Sequence, residues 1–273
     1  MFRGRHITIA TKHGKEKALA PLVSTILQAH PITLKEIDTD QFGTFSGEIE
    51  RMGNPQETLR AKAALAHALC RADRIIVSEG SFGAHPGVSF VQANEEWLLY
   101  KDFHLNHEVI VRSLSTETNY EQREIRDLES LIAFAQAKNF PLNGLILFGV
   151  SKNETRCYVK DIRDMDSLVE AFEQLMTTHG SVMAQTDMRA HRNQLRMEHI
   201  EQTGKKLMDR LLQSCPECHY PGFGITSVKR GLPCKYCLAP TNALLAEICQ
   251  CTNCQHETKN YFPAQSRFAD PGI

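Results

Sequence analysis

No apolar run in the 273 residues approaches the ~20 needed to span a bilayer, which excludes a transmembrane helix. Residues 1–30 also lack the unbroken apolar stretch of a secretory signal. His6, Lys12, His13, Lys15, Glu16 and Lys17 interrupt it, so a cytoplasmic location is expected. Charge of one sign is missing too: 31 Lys+Arg face 32 Asp+Glu, a net of -1. That balance speaks against a nucleic-acid binder driven by bulk electrostatics. There is no internal repeat and no low-complexity segment. What is present is ordinary for a globular chain: 42% hydrophobic and 23% charged residues rule out whole-chain disorder. The length fits one large or two unequal domains.

Cysteine is the unevenly spent residue. Seven of nine lie between Cys215 and Cys254. Cys70 and Cys157 stand alone in apolar contexts and are expected in the core. The cluster reads Cys215-Pro-Glu-Cys218, Cys234-Lys-Tyr-Cys237 and Cys251-Thr-Asn-Cys254, with fifteen and thirteen residues between successive pairs. Two such pairs on tight turns can present four thiolates tetrahedrally to zinc. A segment this small has little apolar surface, so metal ligation must supply much of its folding energy. Disulfides are the alternative, disfavoured in a reducing cytosol. All six of these cysteines are candidate zinc ligands. Cys234/Cys237 could pair with Cys251/Cys254, or Cys215/Cys218 with Cys234/Cys237; spacing does not choose. The odd pair could recruit Cys249, His219 or His256. From residue 213 onward five basic and four acidic residues give no dense positive face, so a structural or protein-contacting ribbon is favoured over a nucleic-acid reader.

The first two hundred residues alternate strands and helices. Strands are expected at 6–10, 32–37, 74–77, 97–100, 109–111, 145–150, 158–162 and 181–186. Helices are expected at 15–28, from Asn54 onward, around Ile125 to Ala135, at 167–178 and at 188–212. Asn54-Pro55-Gln56-Glu57 is a helix start with an Asn cap, Pro at the first position and Glu at the third. Leu59, Ala63, Ala66 and Leu69 share the buried face of that helix, and Ile125, Leu128, Ile132 and Ala135 that of the next. The fold class is therefore α/β, with a twisted mixed sheet covered by helices on both faces and a small C-terminal zinc-ribbon domain. The expected divisions are 1–195, a linking helix at 196–212 that Gly204 could bend, and 213–273.

In open α/β sheets, ligands bind beyond the carboxyl ends of strands. Four polar turns occupy such ends: 11–17, 38–48, 78–83 and 187–193. Thr11, His13, Lys15 and Lys17 suit a phosphate at a helix start. Asp38, Asp40, Glu48, Glu57 and Glu79 could give oxygen ligands to magnesium, which takes one or two carboxylates plus substrate phosphates. Asp187, Arg189, His191 and Arg192 could meet a further anion or a base edge.

The order of these motifs resembles the inosine/xanthosine triphosphate pyrophosphatase superfamily over about residues 6–195. The motifs are Ala10-Thr11-Lys12-His13-Gly14-Lys15, Glu57 with Lys62-Ala63, Ser78-Glu79-Gly80-Ser81 and Ala190-His191-Arg192. His13 stands where that family has Asn, and the lysine is displaced by one position. The resemblance implies a magnesium-dependent hydrolysis of a nucleoside triphosphate to monophosphate and pyrophosphate. Glu79, Glu57, Glu48 and Lys62 would be the catalytic set. The whole chain is also similar to an uncharacterised bacterial family that joins such a domain to a Cys-rich tail, on the runs 38–48 and 187–191. The partners expected are a nucleotide, with a protein partner through the ribbon as a further expectation. Two rival readings are a non-catalytic nucleotide- or anion-binding module and a nucleic-acid-processing protein.

Overall fold

A computed structural model of the chain describes residues 1–43, 53–150 and 156–270. Strand β1 (His6–Ala10) leads through α1 (Glu16–Thr25) to β2 (His30–Leu34). Helix α2 (Pro55–Cys70) then leads to β3 (Arg74–His85), β4 (Val88–Asp102) and β5 (His107–Ser115). These strands form a mixed sheet in the order β2-β1-β3-β4-β5. The first three are parallel and the last two continue as an antiparallel meander. β2 lies on one side of β1 and β3 on the other, so crossovers of one hand put α1 and α2 on opposite faces.

The burial pattern follows that geometry. Ile7, Ile9, Ile76, Leu98 and Tyr100 pack with Leu19, Leu22 and Val23 of α1. On the other face Ala10, Ile75, Val77 and Leu99 pack with Leu59, Ala63 and Ala66 of α2. Alternate residues of one strand thus serve two cores. The α2 start is the expected capping box: Asn54 accepts from the Glu57 amide and Glu57 accepts from the Asn54 amide. Leu69 departs from expectation. It is 55% exposed, because the helix face turns outward over its last turn.

A second sheet, which alternation alone did not separate from the first, is antiparallel throughout. It consists of β6 (Gln122–Ile125), β7 (Leu145–Val150), β8 (Arg156–Val159) and β9 (Val182–Thr186), in the order β6-β9-β7-β8. Helices α3 (Leu128–Ala137) and α4 (Met165–His179) complete its core through Leu131, Phe134, Leu168, Phe172 and Leu175. The register expected for α3 is corrected here. Ile125 belongs to β6, and Leu128 is 40% exposed at the first helical position, so the buried face runs through Leu131, Phe134 and Ala135.

A 3-10 turn at Ala190–Arg192 leads into α5 (Gln194–Leu212). The latter is less a free linker than part of the first core, where Ile200, Leu207, Met208 and Leu211 are buried. Gly204 is a contact point: a Cβ there would stand 2.7 Å from a methyl of Leu22 and 2.8 Å from one of Leu19. The remaining chain forms a three-stranded antiparallel ribbon, β10 (Gly224–Arg230), β11 (Leu244–Gln250) and β12 (Glu257–Tyr261). Cys70 and Cys157, expected in the core, are both exposed. Cys70 is the last residue of α2, whose final turn is exposed, and Cys157 lies on β8, an edge strand of its sheet. No described helix is long and apolar enough to cross a membrane.

Candidate functional site

The carboxyl end of β1 is where the sheet order changes direction, and polar groups gather there. β1 stops at Ala10, but β3 runs on past it, so Ser78 and Glu79 flank the vacated position. This is a correction: 78–83 was expected to be a turn, yet Glu79 pairs with Trp97 inside the β3–β4 hairpin. Pleating sends Ser78 and Glu79 to opposite faces. Ser78 Oγ accepts from Lys15 Nζ at 2.7 Å, at the start of α1. Glu79 pairs closely with Lys62 of α2, both largely buried. Thr11 is buried, and its Oγ1 accepts from the Lys15 amide.

Two residues unmarked by the sequence motifs complete the cluster. Arg196 of α5 and Glu96 of β4 form a fully buried ion pair at 2.7 Å. Gly80 makes room for it, since a Cβ there would lie 2.5 Å from Arg196 Nη2 and 2.7 Å from Glu96 Oε1. The charges feel one another. Burial, followed by repulsion from Arg196 and Lys62, lowers the Lys15 pKa from 10.5 to about 7, against the opposing pull of Glu96 and Glu79. Among the described residues, three buried cations thus lie near two carboxylates, Lys15 and Arg196 with Glu96 on one face of the sheet and Lys62 with Glu79 on the other, and Lys15 donates to a neutral hydroxyl.

The loop after β9 joins this end of the sheet. The His191 ring stacks on His13 with centroids 5.4 Å apart, and Gly14 tucks against the His191 side chain. Burial, then the neighbouring Arg189, lowers the His191 pKa. The other expected anion ligands of this loop are occupied. Asp187 is fully buried and accepts from the Arg189 amide and guanidinium. Arg189 also reaches Asp161, and Arg192 donates to the Ile162 carbonyl. Lys17 is exposed on the first turn of α1. Glu57 closes its own capping box. Glu48 lies outside the described residues, as do residues 44–47 of the 38–48 run.

No cluster of three or more carboxylates that could hold magnesium is found among the described residues. Among the described residues the one group of three or more His, Cys, Asp or Glu side chains able to hold a metal is made of cysteines. Glu79 is committed to Lys62 and Glu57 to its helix start.

Those cysteines sit at the base of the ribbon. Cys215, Cys218, Cys251 and Cys254 place their sulfurs within 4.8 Å of one another. Cys215 and Cys254 are 3.7 Å apart, and Cys218 and Cys251 3.6 Å. A tetrahedral ion with bonds of ~2.3 Å would set its ligand sulfurs about 3.8 Å apart, so the four could hold a metal such as zinc. The Tyr220 amide, then the Asn253 side chain, hold the Cys218 pKa down to about 6, which favours the ligating thiolate.

The pairing corrects both arrangements drawn from spacing, because the first pair meets the third. The reason is the hairpin: Gly224 opens β10 and lies opposite Gln250, which closes β11. The knuckles before β10 and after β11 are thereby neighbours. Cys234 and Cys237 fall in the connection between the two strands, at the far tip. They are not part of the four-sulfur cluster.

The cluster end of the ribbon docks on the sheet. Tyr220 packs edge-on against His107 at 4.7 Å, Gly222 fits against Val109, and Arg210 Nε donates to the Gly222 carbonyl at 2.7 Å. His107 pairs with Asp102, which pairs with Arg74, at the opposite end of the strands from Glu79 and Trp97. Five residues of strand separate the two, about 17 Å.

A family model for a domain of unknown function, DUF6671, matches residues 62–272. The chain belongs to the DUF6671 family. The DUF6671 match opens at Lys62 and takes in Glu79, Glu96, Arg196 and all the paired cysteines, while Thr11 and Lys15 precede it. No curated protein and no solved structure matches the chain.

Proposed function

We propose that the carboxyl end of β1 binds the phosphate of a nucleotide-class small molecule, and that the four clustered cysteines hold a structural zinc ion. The carrying observation for the first is Lys15, a buried amine that donates to a neutral hydroxyl and has, among the described residues, two cations and two carboxylates near it. A bound anion would draw the Lys15 pKa back up. The topological switch point and the adjacent start of α1 favour the same ligand class. The resemblance to triphosphate pyrophosphatases falls on these residues. The zinc reading rests on sulfur geometry, and a reducing setting, expected from the sequence, would keep the thiols free.

A second reading is hydrolysis of the bound triphosphate. The Lys15 pKa near 7 favours it, since such an amine can exchange a proton at neutral pH. No step is assigned to magnesium, because the described carboxylates are engaged elsewhere.

The test is thermal unfolding of the chain with inorganic phosphate, pyrophosphate and a panel of nucleoside triphosphates, followed by assay for released pyrophosphate. Stabilisation that grows with ligand concentration and vanishes in Lys15→Met supports binding. Pyrophosphate release by the native chain alone supports hydrolysis. No stabilisation by any of the anions would overturn the reading.

A further inference from the structure

The three Cys-x-x-Cys segments share one backbone. In each, the residue after the second cysteine adopts a left-handed conformation: His219 at φ 57°, Leu238 at 59° and Gln255 at 61°. In each, that residue's amide donates to the carbonyl of the first cysteine, at 2.9, 3.0 and 3.1 Å respectively. The first cysteine's amide in turn donates to the next residue along, Tyr220, Ala239 or His256, at 2.8, 2.8 and 2.9 Å. Three copies of a metal-binding turn are thus built alike, and two of them face each other.

The third is built and lacks a counterpart. Cys234 and Cys237 belong to no described group of three potential ligands. They occupy the ribbon tip, seven residues of β10 from the cluster end, about 23 Å. The tip is held in shape: Cys234 bridges to Ala269, and Pro233 to Pro240. Its surroundings are apolar and open, with Tyr236 76%, Leu238 65% and Phe268 45% exposed. Large apolar side chains grouped in this way mark a contact surface.

We propose that Cys234 and Cys237 are half of a second zinc site, completed by the same two cysteines of a second copy of this chain. Two thiolates leave a tetrahedral ion with two open positions, and a two-fold pairing of identical tips fills them with equivalent ligands. Tyr236, Leu238 and Phe268 of each copy would bury around the ion. Charge fits as well. Four thiolates on a divalent cation leave a net of about -2, and the exposed Lys235 from each copy offsets it. Each thiol gives up its proton to solvent as it binds, so assembly consumes no oxidant and forms no sulfur–sulfur bond.

The experiment is native mass spectrometry with sedimentation, on the full chain titrated with zinc chloride. The expected species is a dimer carrying three ions, one in each four-cysteine cluster and one shared. In Cys234→Ser/Cys237→Ser the expected species is a monomer that keeps a single ion. Cobalt substitution gives a second readout: the thiolate-to-cobalt absorption per chain should fall by about a third in that variant. A chain that stays monomeric at saturating zinc overturns the proposal. So does a monomer that binds two ions, or a dimer that survives the double substitution. Loss of the cluster ion alone would strike the structural-zinc reading and leave the shared ion countable by itself.

Discussion

Arg196 Nε donates to Glu96 Oε1 at 2.7 Å, across one hundred residues of sequence, with both side chains at or below 1% exposure. This pair clamps α5 to β4 beneath the polar end of the sheet. Breaking one side leaves a charge without its partner where water does not reach. Glu96→Gln should therefore cost about 3–5 kcal/mol in chemical unfolding, while Glu96→Met/Arg196→Met costs much less. A double variant as unstable as the single one would contradict the account.

Lys15 gives a pH signature. Its folded pKa of about 7 lies below the ordinary 10.5. Below pH 7 both folded and unfolded chains carry the proton. Between 7 and 10.5 the unfolded chain alone retains it, so this group makes stability rise with pH across that window. Lys15→Met removes the slope. Urea unfolding at pH 7, 8 and 9 should show the native chain gaining on the variant at each step, and parallel curves would refute the shift.

Gly80 is small because of what lies over it. In Gly80→Ala the new methyl falls within 2.7 Å of Glu96 Oε1 and closer still to Arg196 Nη2, atoms fixed by their own pairing. A loss of about 1–3 kcal/mol is expected from the overpacking. Gly83→Ala, in the same strand with nothing near its Cβ, is the control and should unfold close to the native midpoint.

If the four-cysteine cluster holds zinc as proposed, the ion should matter locally, and both Cys251→Ser and chelation would remove it. Amide exchange in β10, β11 and β12 should then rise to near the unfolded rate, with the five-stranded sheet still protected. Loss of protection throughout both sheets would show that the ribbon supports the whole fold.

Local signals in the sequence were readable where the structure is local. The Asn54 capping box and the helices expected at 167–178 and 188–212 depend on neighbours a few residues away. Ser78-Glu79-Gly80-Ser81-Phe82-Gly83 read as a turn because its composition is that of one; pairing with β4 made it a strand. Lys15 and Lys62 were marked by motif, and their proximity to Glu79 and Ser78 followed from where β1 ends. Arg196 and Glu96 carried no mark at all, since each looks like an ordinary surface charge until its partner arrives from far along the chain. The cysteine pairing was hidden for a related reason. Three equal turns on similar spacings differ only in which end of a hairpin they occupy.

β4 and β5 carry the Lys62–Glu79 neighbourhood at one end and the Tyr220–His107 contact at the other. The sheet is in effect a strut. Two chains fastened tip to tip would keep the cation-rich cluster apart from the joint, because the ribbon docks at the opposite end of the sheet. Ligand traffic and self-association would then make no demand on the same surface, and either could change without disturbing the other.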